Sequence, residues 1–322
     1  MKLGVMGAGL GGMGFNKALD YCRQLGLEAI ELPVGAYPGR PFFDPDEVLA
    51  SKAMQQKIKD AIAKRGLVVS ALAVHGNPVH PDKRIAARHE HEHDVAVRLA
   101  RKLGTDVVIN FSGCPGGSKA DKMPNWVTCA WPPDYLKILD YQWDKVLVPF
   151  WTAKNKAAAN EGVKIAFEAH PGFCVYNPDT LLKLRKLCGK QLGCNFDPSH
   201  FFWQGIDPVE AARVIGDAKA LFHVHAKDTA IDPLNSRING NLDAKSYGDV
   251  GARSWVFRTC GYGHGDEFWK PFISMLRIKG YDGALSIEHE DSLMSVQEGF
   301  EKAVSYLKGV MVKQKPGAAW WF

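Results

Sequence analysis

The sequence predicts an α/β fold, a (β/α)8 barrel, and three observations carry that prediction. Short apolar runs alternate with amphipathic stretches along the whole chain, the pattern of a parallel sheet covered by helices. About eight such units can be counted. Four of the runs end in acid or imidazole: 164–172 in Phe-Glu-Ala-His-Pro-Gly, 192–200 in Asn-Phe-Asp-Pro-Ser-His, 221–228 in His-Val-His-Ala-Lys-Asp and 284–291 in Ser-Ile-Glu-His-Glu-Asp. Chemical groups at successive strand ends fit a barrel mouth better than the single crevice of a doubly wound sheet.

The elements follow in order. Residues 3–6 read as a first strand and 7–14 as a glycine-rich turn. A helix over 15–25 then keeps Phe15, Ala18, Leu19, Cys22 and Leu25 on one stripe, closed by Gly26. Strands are expected at 29–34, 68–74 and 106–111, with helices over 52–64 and 89–103 closed by Gly66 and Gly104. A Gly-, Pro- and Trp-rich segment, roughly 113–133, interrupts the alternation before a helix at 135–160. The fifth strand starts at Lys164, and Asn177 with Pro178 opens a helix that runs to Leu187. The sixth strand opens at Leu192, with a helix over 208–215, and the seventh at Leu221. A second insertion covers roughly 229–265, then come a helix at 268–278, the eighth strand at Ala284 and a last helix over 296–312. No composition shift divides the chain. Residues 1–322 therefore read as one domain, with long loops after strands 4 and 7 and an aromatic C-terminal tail at 317–322. Both loops belong to the catalytic face, where they can act as lids.

Composition narrows the function. The chain has 322 residues, 46% apolar and 23% charged, enough for a full core. The net charge of +5 is scattered rather than gathered into a basic run, which argues against nucleic-acid binding. Seven cysteines without a Cys-x-x-Cys pair suit a reduced, cytoplasmic protein. The start of the chain lacks the build of a secretory leader, and no stretch is apolar enough to span a membrane.

Two motifs compete with the barrel-mouth reading. Gly7-Ala-Gly9-Leu-Gly11-Gly12 after a strand, with Glu31 about twenty residues on, matches the dinucleotide fingerprint, so an NAD(P)-dependent oxidoreductase is the alternative from another class. We prefer a glycine-lined strand end that leaves room for a substrate. His89-Glu90-x-x-His93 matches a zinc protease motif, but a charged, solvated outer helix face explains it more simply.

The strand-end set is Glu168, Asp197, His225 and Glu288. Three carboxylates and one imidazole make a hard, oxygen-rich site suited to Mn²⁺, Mg²⁺ or Co²⁺, with Zn²⁺ also accommodated. Around it, His75, Asn110, His170, His200 and Lys227 are expected to bind substrate, Lys227 by holding an oxyanion. His200 and His264 are further candidates for proton transfer beside Glu168 and Glu288.

These residues resemble the sugar phosphate isomerase/epimerase family, the xylose isomerase-like TIM barrels. The resemblance covers nearly the whole chain and is carried by Phe167-Glu168, Asp197-Pro-Ser-His200, His223-Val-His225-Ala-Lys-Asp228, Gly263-His264-Gly265-Asp266 and Ile287-Glu288. It implies that Glu168, Asp197, His225 and Glu288 hold one divalent metal, most often Mn²⁺, and that Glu168 and Glu288 exchange a substrate proton. The chain departs from the ketose epimerases, which carry an Arg where Ile231 lies, and from members with Gly-Glu-Gly where it has Gly-His264-Gly. The long insertions and the tail resemble the large subunits of C-glycoside deglycosidases, which act on 3-oxo-glycosides and pair with a small β-rich subunit. The resemblance thus implies a metal-dependent sugar isomerase/epimerase, or a lyase on a keto-sugar with the same metal site, in an oligomer.

Overall fold

In a computed structural model the chain forms a closed barrel, with residues 1–314, 317, 318 and 321 described. The strands are β1 (Lys2–Met6), β2 (Ala29–Pro33), β3 (Val68–Ala73), β4 (Val107–Asn110), β5 (Lys164–Glu168), β6 (Leu192–Phe196), β7 (Leu221–Ala226), β8 (Asp228–Ile231), β9 (Trp255–Arg258) and β10 (Ala284–Ile287). Strands β1 to β7 and β10 pair in parallel and in sequence, and β10 closes the ring on β1 with Lys2 opposite Ala284 and Val5 opposite Ile287. Strands β2, β4 and β6 are buried throughout, as parallel strands covered on both faces must be.

Helices cover the outside of the ring, and alternation on the strands sorts core from site. Phe167 faces outward and packs edge-on against Trp151, ring centroids 4.5 Å apart, under the helix Val148–Glu161. Its neighbour Glu168 therefore points into the barrel. The helix Lys83–Leu103 starts with Asp82 capping Arg84 N and stops at Gly104, whose φ of 94° suits glycine.

The structure corrects several expectations. The glycine run forms a 3₁₀ segment, Gly7–Met13, and its glycines permit close packing. A Cβ on Gly7 would lie 2.9 Å from both Glu31 O and the Phe42 ring, and one on Gly11 would lie 2.7 Å from Pro41. Phe42, Phe300 and Pro41 crowd Gly7, Gly9 and Gly11, which also fills the substrate room expected there, and a closed barrel lacks the crevice that the fingerprint serves. His89 and His93 are buried rather than solvated: His89 Nδ1 accepts from Asn77 N at 2.9 Å, and His93 Nδ1 lies 3.1 Å from Asn110 Nδ2. The long helix expected at 135–160 contains π-helical turns, Tyr141–Leu147. These point Gln142 inward, where its amide donates to Pro115 O at 3.0 Å and Asn125 O at 2.6 Å and pins the first insertion.

The second insertion is partly ordered as an antiparallel hairpin of β8 and β9, with Asp228 opposite Arg258 and Ile231 opposite Trp255. Trp255 stacks on Trp203 at 4.5 Å, so the hairpin lies against the short helix that follows β6. Of the aromatic tail expected at 317–322, Trp320 and Phe322 lie outside the described residues. No helix among the described residues is long and apolar enough to cross a membrane.

Candidate metal centre in the barrel mouth

The carboxyl ends of four strands deliver four ligand-type side chains to one place. Glu168 ends β5 and His225 faces inward near the end of β7. Asp197 follows β6 and caps the helix Pro198–Phe202, its Oδ1 accepting from Ser199 N at 2.9 Å, which leaves Oδ2 for the barrel. Glu288 follows β10, held by its backbone N–H on Ala226 O at 3.2 Å. One atom from each of Glu168, Asp197, His225 and Glu288 lies within 4.8 Å of all the others.

His225 is oriented by Glu31, a residue that the dinucleotide alternative would assign to a ribose. Its Nε2 lies 3.0 and 3.2 Å from the two Glu31 oxygens, and Ser286 Oγ donates to Glu31 at 2.8 Å. With the Nε2 proton directed at Glu31, Nδ1 presents its lone pair to the cluster. Burial alone would push the Glu31 carboxyl up, but His225 and His223 hold it below the usual carboxylate range. The signal available in the sequence was an acid in the middle of the apolar run Ala29-Ile-Glu-Leu-Pro33, a residue that cannot be buried without a partner.

Glu168 is the most heavily bonded member. His200 Nε2 lies 3.0 Å from Oε1, while His75 Nε2 at 3.1 Å and Asn195 Nδ2 at 3.0 Å meet Oε2. Burial raises its proton affinity, but the imidazoles of His200, His225 and His75 packed around it outweigh that and hold the carboxyl well below its ordinary value. Asn195, a second residue absent from the expected set, in turn accepts from His223 Nδ1 at 2.8 Å. Burial pushes His223 down to about 4.

Lys227 is buried beside this cluster, 2.6 Å from Glu288 Oε2, 2.9 Å from Glu290 Oε2 and 3.0 Å from Asp197 Oδ2. Burial disfavours its charge, but Asp197, Glu288 and Glu290 hold the ammonium well above its usual value. The Phe257 ring from β9 lies under it at 4.6 Å. His170 stands against His200, ring centroids 4.1 Å apart, and burial pushes it down to about 3, so it is a neutral group at neutral pH.

Two expected site residues sit elsewhere. The Asn110 amide is used within the protein: its oxygen accepts from Gly76 N and Phe111 N, each at 2.8 Å, and its nitrogen meets His93. His264 lies 2.8 Å from Asp228 Oδ1, stacks on Phe202 at 3.7 Å, and forms no hydrogen bond, ion pair or ring contact with the four clustered residues. Asp228 anchors this loop: its Oδ2 accepts from Gly261 N, Gly263 N, His264 N and Trp269 Nε1.

The residues fit a divalent cation. His225 Nδ1 is buried without a hydrogen-bond partner and faces carboxylate oxygens of Glu168 and Glu288 at 3.1 and 3.3 Å, and Asp197 Oδ2, paired with the Lys227 ammonium at 3.0 Å, belongs to the same cluster. Charge points the same way, since Glu31, Glu168, Asp197 and Glu288 are offset by a single lysine. Burial would strip the His225 ring of its proton, yet Glu31 and Glu288 hold its proton affinity well above the usual value, a field that favours a cation at this position.

Residues 19–310 match the family described as xylose isomerase-like TIM barrel. Among curated proteins, the chain is 38% identical over 311 residues to the uncharacterized protein YfiH of Bacillus subtilis (strain 168), covering 96% of this chain and 98% of that one. Among solved structures, it resembles IolI protein with a binding zinc atom at a TM-score of 0.65 and 19% identity, covering 96% of this chain and 98% of that one. It also resembles D-psicose 3-epimerase in the presence of D-fructose at a TM-score of 0.59 and 14% identity, covering 97% and 99%. At these identities the two structures speak for the fold.

Proposed function

The chain belongs to the xylose isomerase-like TIM-barrel family, and on that premise we propose that it is a divalent-metal-dependent enzyme of the sugar isomerase/epimerase type. Its reaction removes a proton from the carbon beside a carbonyl of a sugar or keto-sugar. The observation that carries this reading is the convergence of Glu168, Asp197, His225 and Glu288 at the barrel mouth, one ligand atom of each within 4.8 Å of the others. These four residues would hold the ion, Mn²⁺ being the first choice for a hard site and Mg²⁺, Co²⁺ or Zn²⁺ the others. The zinc named with IolI and the epimerase activity named for the D-psicose enzyme are compatible with this. A divalent cation there supplies polarisation of the carbonyl and of the hydroxyl beside it.

The chain's own residues divide the remaining work. Glu288 is the member of the four that reaches the mouth, with 18% of its side chain exposed, and it is the proton acceptor. Lys227 and His225 outweigh the effect of burial and keep it ionised, so it is an open acceptor but a weak base until its contact with Lys227 loosens. Once Glu288 is protonated, its ion pair with Lys227 weakens, and the ammonium can turn to the developing enediolate oxygen. Glu168, tied to three donors, stays ionised and positions. His200 contributes Nδ1, buried and without a partner, for a substrate hydroxyl. Reprotonation of the enediolate gives isomerisation or epimerisation. Loss of a β-substituent instead gives the lyase chemistry of a 3-oxo-glycoside, which would bring in a small β-rich second subunit.

Solvent exchange tests the reading. Candidate ketoses, aldoses and 3-oxo-glycosides are incubated with metal-loaded protein in D₂O, and recovered sugars are analysed by NMR. A turned-over sugar should carry deuterium on carbon, and Glu288→Gln should cut turnover and exchange by roughly 10² or more. Aglycone release would select the lyase branch. A hydride shift between adjacent carbons, or full activity of Glu288→Gln, would refute the assignment of Glu288 as base.

A further inference from the structure

Lys227 is buried, and three carboxylates share its ammonium. Its Nζ lies 2.6 Å from Glu288 Oε2, 2.9 Å from Glu290 Oε2 and 3.0 Å from Asp197 Oδ2. An ammonium has three hydrogens to donate, and these contacts use all of them. The three acids grade outward: the Asp197 side chain is 0% exposed, that of Glu288 18% and that of Glu290 48%. Glu290 alone of the three is not among the four ligand-type residues, and Lys227 is its only ion-pair partner among the described residues.

Two of those contacts occupy atoms that a divalent cation needs. Asp197 Oδ1 is taken by the backbone N–H of Ser199 at 2.9 Å, so Oδ2 is the oxygen that Asp197 has left for a cation, and Lys227 holds it. Glu288 Oε2 faces both His225 Nδ1 at 3.3 Å and the ammonium at 2.6 Å. A cation on the same two oxygens would stand close beside Nζ, and like charges in a buried site repel with little screening. The ammonium therefore competes with the ion for the centre.

The lysine stem is long and flexible, but a buried ammonium can move only to where a counter-charge receives it. Glu290 already holds it on the more exposed side. The Phe257 ring, 4.6 Å from Nζ, adds an attractive surface that does not depend on Asp197 or Glu288.

Resting on the metal reading, we propose that Glu290 is a positioning residue: it draws the Lys227 ammonium away from Asp197 and Glu288 and so opens the centre to a divalent cation. Without an ion, Lys227 bridges all three acids and offsets part of their charge. With an ion, Asp197 Oδ2 and Glu288 Oε2 are released to it, and Lys227 stays with Glu290 and Phe257.

Calorimetric titration of the metal-free protein with Mn²⁺ tests this. Glu290→Gln should weaken Mn²⁺ binding by about tenfold or more, the worth of a lost charge-assisted contact, and Glu290→Asp should recover part of the loss. The Glu290 side chain is half exposed, so both variants should fold, which circular dichroism checks. Lys227→Met should act in the opposite direction and tighten binding. In the Lys227→Met background, Glu290→Gln should change the affinity by no more than about twofold, because Glu290 acts through the lysine. A carboxylate that attracts the ion only through its field would cost as much in both backgrounds. A crystal structure of the Mn²⁺-loaded wild-type protein gives an answer that needs no variant: Lys227 Nζ should keep Glu290 and leave Asp197 Oδ2. The proposal is overturned by unchanged Mn²⁺ affinity in Glu290→Gln, by an equal loss in both backgrounds, or by Nζ remaining 3.0 Å from Asp197 Oδ2 with the ion in place. Each of these leaves the metal reading standing. A wild-type chain that takes up no divalent ion refutes that reading and this proposal with it.

Discussion

Replacing Glu31 by Gln isolates the group that orients the imidazole of the metal centre. In the native protein the His225 Nε2 hydrogen points at a carboxylate 3.0 and 3.2 Å away, which Ser286 steadies at 2.8 Å. Gln keeps the shape and one acceptor oxygen but loses the charge. A hydrogen bond to a charged group contributes about 1.5–3 kcal/mol and a neutral one about 0.5–1.5, so the exchange costs on the order of 1–2 kcal/mol. If the amide nitrogen faces His225 instead, the ring shifts its proton to Nδ1 and removes the lone pair from the cluster. Both routes weaken metal binding, by about 10- to 100-fold, the usual effect of losing such a partner. Titration of the metal-free protein with Mn²⁺, followed by calorimetry, measures the shift. Ser286→Ala should give a smaller loss in the same direction. An unchanged Mn²⁺ affinity in Glu31→Gln, with the fold intact by circular dichroism, would refute the claim that Glu31 sets the ring's tautomer.

Asp197→Asn should remove most bound metal while leaving the barrel folded; metal analysis showing full occupancy would contradict the ligand assignment. Phe257→Ala should leave metal content unchanged and raise KM by roughly 2- to 30-fold, the range of a cation–π contact of about 0.5–2 kcal/mol lost from Lys227; steady-state kinetics reads it. His93 gives a pH prediction: burial pushes it from its ordinary value down to about 3, so the unfolded chain binds the extra proton below about pH 6.5. Stability from this group is complete above that pH and falls by about 1.4 kcal/mol per unit as pH drops toward 3. His93→Gln should therefore flatten the acid limb of urea midpoint against pH by about one proton's worth, and parallel limbs would show that His93 does not titrate in this way.

The barrel was legible because strand and helix periods alternate on both sides of the two insertions, and because four strand ends repeat one chemical signature. Glu168, Asp197, His225 and Glu288 come from different strands, yet each stands at the same place in its own unit, which a linear reading can detect. Glu31 was left out of the expected site because its only sequence signal, the spacing from Gly7, belongs to a fingerprint that ignores what lies across the barrel. Asn110 ends its strand as a substrate-binding residue would, and only the helix packed beside it reveals that His93 and backbone amides occupy its amide. The same helix hid its buried face, since histidine counts as polar in an amphipathic pattern although His89 and His93 are the inward groups. The hairpin strand Trp255–Arg258 alternates buried and half-buried positions, but its residues, three apolar ones and an arginine, show no period of two.

Ring closure by β10 has a consequence for synthesis on the ribosome. The strand that completes the barrel pairs with β1 and β7 and is followed at once by Glu288. Until it emerges, the nascent chain holds two open sheet edges, and Glu31, Glu168 and Asp197 stand near His225 without their fourth companion. At 5–20 residues per second, translation from the end of β7 to the end of β10 takes roughly 3–12 s. During that interval the growing polypeptide exposes backbone donors and acceptors on β1 and β7, where chaperones or neighbouring nascent chains can pair with them.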